Sequence, residues 1–219
     1  MRRTRPFTER AHGSLTAAGA VLAGVALLLL SLLPTAPSEA ADLSAWVDNG
    51  KPLLSWSDEL LFFAIMSWGA GARGLFGARK AERSARINVG LTALAVALVA
   101  LLVLLFVVGR LVYPVSEIHL SPDVLALLVS SMFGALHLAL LGFAVAAVTL
   151  TWSTSSGLRG RVAGIGAAAV FTVGSFPWLT PSWWNIFVAV LLAAWGVFLS
   201  ITGRRRPEVC QRTAVRPES

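Results

Sequence analysis

Cysteine occurs once, at Cys210, and tyrosine once, at Tyr113. A lone thiol forms neither a disulfide framework nor a paired thiol site within the chain. The three histidines, His12, His119 and His137, make no H-E-x-x-H metal motif. Only His137 lies deep in an apolar run, so a membrane haem lacks its two axial histidines. Lysine is confined to Lys51 and Lys80, both outside the apolar runs, which excludes a retinal-type Schiff base. No Asp or Glu stands in the middle of an apolar run, which argues against proton- or sodium-driven transport. No G-x-S-x-G elbow occurs either. The expectation is a non-enzymatic protein with no cofactor and no metal site. Charge itself is scarce: 13% of the residues are charged, about half the share usual in a soluble domain.

Apolar runs fill the space. Hydrophobic residues make up 56% of the chain and the mean hydropathy is +0.74. Crossing a bilayer takes about 20 residues of helix, and six segments qualify or nearly do: 15–33, 60–76, 87–109, 124–150, 162–179 and 184–202. The fold class expected is therefore all-α, a polytopic membrane protein with a six-helix transmembrane domain over residues 15–203. A basic N-terminus, 1–14, precedes it, and a basic tail, 204–219, polar enough to be disordered, follows. With both termini cytoplasmic, 16 of the 18 Lys and Arg residues fall inside, leaving only Lys51 and Arg110 outside. Seven of the eleven acids fall outside. Such alternation is the positive-inside pattern, and shifting the count by one helix destroys it. It also accounts for the net charge of +7 without nucleic-acid binding. Sixteen Arg against two Lys, with abundant Ala, suggests a GC-rich bacterial genome, hence a plasma (bacterial inner) membrane. The first segment, with "PSEA" before Ala41, also resembles a secretory signal. Its apolar run of about 19 residues exceeds the 7–15 of a signal, so it reads as a retained helix.

The longest outer loop is Pro34–Ser57, net acidic, with Trp46 and Trp56. The last, "SFPWLTPSWWN", carries Trp178, Trp183 and Trp184 to the outer headgroup level, where indoles prefer to lie. Thr180-Pro181 and Ser121-Pro122 read as the starts of helices six and four.

Three constellations could carry function. On a helical wheel Ser130, Gly134 and His137 share a small, polar stripe of segment four, with Leu125, Leu128, Met132, Leu136 and Phe143 opposite. Small and polar residues favour helix contacts, so the stripe is expected inside and the large side in lipid. His137, near the midplane, is then either a neutral imidazole donating to a carbonyl or serine of a neighbouring helix, or a ligand or proton site. At the outer rim, Asp58 and Glu59 open helix two, Arg110 closes helix three, and Tyr113 follows. An ion pair from either acid to Arg110 could close an outer vestibule; alternatively each charge simply complements a helix dipole. Third, "GAGARG" (Gly69 to Gly74) matches a dinucleotide fingerprint in letters, but it ends an apolar helix rather than following a strand. Close helix packing is its better reading, as for Ala20-x-x-x-Gly24 and Gly164-x-x-x-Ala168.

The fragments "SDELLFFAIMSW", "GRLVYPV" and "GALHLAL" resemble small multi-pass membrane proteins of GC-rich bacteria with no assigned activity. That resemblance covers helices two to four and transfers no site residue. In outline, six helices with a long first outer loop are similar to the substrate-binding membrane subunits of energy-coupling-factor vitamin transporters. Three functions stand. The first is an accessory or regulatory membrane protein acting through the bilayer and a membrane-protein partner. The second is a small-solute binding or transport subunit, with an outward vestibule lined by helices two to four under Pro34–Ser57. The third is an intramembrane enzyme resting on His137.

Overall fold

The computed structural model describes residues 5–77, 85–113, 120–154 and 157–204. Among these residues all regular structure is helical: α1 (Arg5–Ser31), a 3-10 turn (Ala40–Asp42), α2 (Leu43–Gly77), α3 (Ala85–Val112), α4 (Pro122–Thr154), α5 (Leu158–Gly174) and α6 (Ser182–Arg204). Successive helices run up and down. α1 packs extensively on α2 and on α6, and α3 on α4, whereas α5 and α6 meet sparsely. The tail expected to be disordered, apart from Arg204, lies outside the described residues.

Among the described residues four helices are long and apolar enough to cross a membrane: α1 over Arg10–Ser31, α3, α4, and α6 over Ser182–Gly203. Their outward surface is apolar. Val99, Leu102, Phe106, Leu127 and Leu138 are each at least half exposed, joined from α2 by Phe63 and Met66. A water-soluble monomer rarely shows contiguous apolar patches larger than a few hundred Å², so lipid is the solvent such a surface suits. Small residues concentrate inside. Ala20, Ala23, Ala64, Ala97, Ala139 and Ala146 are fully buried, and they let backbones approach where no hydrophobic drive exists between helices in lipid. "GAGARG" takes part in this packing. A Cβ on Gly71 would meet the backbone amide of Thr16, and one on Gly74 would meet the His12 ring.

α2 departs from expectation. Residues 43–57, expected within a loop, form the first turns of a 35-residue helix, about 52 Å long at 1.5 Å per residue. Leu43, Trp46, Gly50, Leu54, Ser57, Leu61, Ala64 and Trp68 are all buried. Spacings of three and four, about 3.6 residues on average, keep one face of the helix turned inward as a continuous seam. α1 answers with buried Gly13, Thr16, Ala20, Ala23 and Leu27. The polar residues between hide the seam from average hydropathy. Pro52 sits inside the helix on its exposed side, where the missing N–H is least costly to leave open.

Two other boundaries are informative. α4 begins as expected, with Ser121 capping it: its hydroxyl accepts from the Val124 amide at 3.4 Å. α5 stops at Gly174 rather than 179, and residues 175–181 turn across the end of the bundle before α6. There the Pro181 carbonyl accepts the first helical amides, from Trp184 and Asn185. The cap is one residue later than Thr180.

The two ends differ. One gathers Trp46, Trp56, Trp178, Trp183 and Trp184. At the other, Arg86 of α3 and Arg161 of α5 stack on the Trp152 ring of α4, 5.8 and 5.4 Å from its centre.

Candidate functional site

Mid-bundle, four aromatic side chains from four helices close on one another. Trp68 of α2 stacks on Phe143 of α4 at 5.0 Å, and Phe171 of α5 and Trp195 of α6 complete the group at 6.0–6.5 Å. The Trp195 indole donates to the Thr151 hydroxyl at 3.1 Å, which fixes its plane. Trp68, Phe143 and Phe171 are fully buried.

One helical turn above this cluster, towards the tryptophan-rich end, the interior opens into a cavity of about 600 Å³. Its deep walls are Leu27 of α1, Met132, Leu136 and Leu140 of α4, and Val188 of α6. The Pro34–Ala36 stretch, Trp46, and the 177–182 connection form its mouth. The sparse α5–α6 contact explains why space remains. α5 is only 17 residues long, so it ends before the neighbouring helices do. The size falls within the range of small-molecule sites, about 300–1,000 Å³. Among the described residues no charged side chain lines it. The polar groups gather at the mouth, where the Thr180 hydroxyl donates to Asn185 Oδ1 at 2.7 Å and Asn185 Nδ2 reaches the Pro177 carbonyl at 3.4 Å. The signal in the sequence is Asn185 itself, an amide at the head of the apolar run "IFVAVLLAAW".

The vestibule is therefore not the one expected. α1, α4 and α6 line it with the 177–182 connection; α3 contributes nothing, and from α2 only Trp46 takes part. Pro34–Ala36 does lie at its mouth, secured by the Trp46 indole donating to the Pro34 carbonyl at 2.8 Å.

His137 does not line the cavity. It braces the cavity's wall. Its Nδ1 lies 2.8 Å from the Ser175 carbonyl at the end of α5, and since a carbonyl can only accept, Nδ1 carries the proton. The ring packs on Phe176 at 4.9 Å and faces Trp178 at 6.0 Å. His137 is thus level with the end of α5, where the chain leaves the helix. Ser130 is not beside it. Ser130 and Gly134 are exposed, and Leu125, Met132 and Phe143 are buried, against the expected facing, whereas His137 of the same stripe does turn to a neighbouring helix. The physical reason is that hydroxyls here satisfy themselves locally. Ser131, Thr149 and Ser153 each donate to the carbonyl four residues earlier, at 2.7–2.8 Å, so a serine does not need the interior.

At the rim, Tyr113 donates to Glu59 at 3.2 Å. Among the described residues the ion pair to Arg110 is not formed: Arg110 Nη1 and Asp58 Oδ1 are both buried without a partner. Asp58 faces Gly109, whose Cβ position would lie 3.3 Å from Oδ1, and Arg110, one residue on, points about 100° away around α3. Asp58 precedes the apolar run that starts at Leu60. Burial first, then the neighbouring Glu59 carboxylate, push its pKa up to about 6.

Compared with protein-family models, curated proteins and solved structures, the chain matches none. The site therefore has to be read from its own chemistry: a cavity with apolar deep walls whose polar side chains, Ser31, Thr35, Thr180, Ser182 and Asn185, gather at its mouth.

Proposed function

We propose that this is a six-span, non-enzymatic protein of a bacterial plasma membrane, both ends cytoplasmic, that binds a small, largely apolar molecule in an outward-facing cavity. The cavity carries the reading. It has the volume of a ligand site, apolar walls with a few polar groups at one end, and four packed aromatics a helical turn below its deep end. That packed cluster favours binding and presentation over passage through the bundle, so movement of the ligand across the membrane would need a partner protein. The charge pattern supports the orientation, with arginines at one end and tryptophans at the other. α2 lies against α1 and α3 along its length, which supports counting it as a span; α5, against α4, supports the sixth.

Titration with N-phenyl-1-naphthylamine, a neutral fluorophore, tests the reading on the purified protein in detergent. Wild type should show saturable enhancement at about one probe per chain. Val188→Trp, which fills the cavity, should abolish the saturable part while keeping the melting temperature. Enhancement that never saturates, or that Val188→Trp leaves unchanged, overturns it.

A further inference from the structure

We infer that the cavity's ligand is an uncharged amphiphile, a single apolar chain ending in a hydroxyl or amide head, and that Asn185 with Thr180 selects that head. The inference rests on the binding reading above. The lining has polarity at one end only. Leu27, Leu140 and Val188 form the deep part, level with Gly174 and a turn above Phe143 and Phe171, and offer nothing to a polar group. A ligand therefore sits with its chain down and its head at the tryptophan-rich mouth, the orientation of an amphiphile in the adjoining bilayer leaflet.

The head must be neutral. A carboxylate, phosphate or ammonium taken from water into such a site needs a counter-charge, and among the described residues no Lys, Arg, Asp or Glu lines the cavity. Yet a pure hydrocarbon would leave the mouth amide poorly used. Asn185 Oδ1 already accepts from Thr180 at 2.7 Å, whereas Nδ2, with two protons, makes one long bond of 3.4 Å to Pro177. The spare donor of Asn185 and the lone pairs of the Thr180 oxygen form a donor–acceptor couple. A hydroxyl or primary amide satisfies both partners; an alkane satisfies neither.

The test uses the full chain in lipid nanodiscs and four twelve-carbon probes with a diazirine at the chain end: an alcohol, a primary amide, a sulfonate and a primary ammonium. Photolabelled peptides are mapped by mass spectrometry. The alcohol and amide should label residues around Leu136–Leu140 and Val188 saturably, and the two charged probes should compete at least tenfold more weakly. Asn185→Leu should weaken the amide about five- to tenfold, the size of one lost hydrogen bond, and Asn185→Asp should turn the preference towards the ammonium probe. If Asn185→Leu does not fold, Thr180→Val serves in its place. Equal competition by sulfonate or ammonium, or no loss in both Asn185→Leu and Thr180→Val, overturns the head-group assignment while leaving binding intact. Saturable labelling by none of the four overturns the binding reading as well. Solvent extraction of the purified protein distinguishes the source: a co-purifying neutral amphiphile marks a membrane ligand, and an empty cavity that fills on addition marks a dissolved one.

Discussion

Of the two partners the sequence offers Glu59, the Arg110 guanidinium and the Tyr113 phenol, it is bonded to the phenol. Double-mutant cycles on thermal stability in detergent should show this. Glu59→Gln with Arg110→Gln should be additive, with a coupling energy indistinguishable from zero, while Glu59→Gln with Tyr113→Phe should couple. Asp58 makes a separate prediction through pH. Its carboxyl titrates near 6 in the folded protein, against an ordinary 3.8, so the folded state holds the proton more tightly. The contribution favours folding most below about pH 4 and is lost as pH rises through about 6. Asp58→Asn should therefore melt higher than wild type at pH 7.5, and the difference should shrink towards pH 5. An unchanged difference across that range would remove Asp58 as the source.

At the scale of the helix, the α1–α2 seam makes residues 43–57 part of the bundle rather than a loop. Single cysteines placed along this stretch in a Cys210→Ser background should report the period. Positions 46, 50 and 54, buried in the seam, should resist a water-soluble maleimide, and positions 48, 52 and 56, exposed, should react. Uniform reactivity would return the segment to a loop. α4 shows the same dependence on neighbours. Leucine, valine and alanine stand on every side of it, so nothing in its own composition decides which face turns inward; α3, α5 and the cavity do. Gly142 lies where a Cβ would collide with Ala97 and the Ala93 carbonyl, and that single close approach orients the inner half of the helix.

For the molecule as a whole, the expected outcome is that positions 86 and 159 face the cytoplasm and position 51 the outside. Cysteine labelling from either side of sealed vesicles checks it, again without Cys210. Outside labelling of 86 or 159 would sink the six-span topology and reverse the cavity's access. On the proposed binding reading, ligand exchange is expected from the tryptophan-rich side, over the 175–181 connection that His137 holds.

Composition and periodicity were enough for the class of molecule. Long apolar runs without internal acids, and arginines crowded into alternate loops, determine an all-helical protein built for lipid, because those properties are sums over many residues and depend on no particular contact. The Ser121 cap was legible for a related reason: capping is settled within four residues. The seam in Leu43–Ser57 was written in the spacing of Leu43, Trp46, Gly50 and Leu54, but the Asp, Asn, Lys and Pro between them lowered the average that a search for spans weighs. What only the tertiary structure decided was the facing of α4, the partner of Glu59 and the position of the cavity. Each depends on which helix lies alongside. Ser130 could face lipid because neighbouring hydroxyls show that such a group needs no partner beyond its own turn. Space opened beside Leu140 and Val188 because α5 stops at Gly174 and the chain turns across the bundle end before α6.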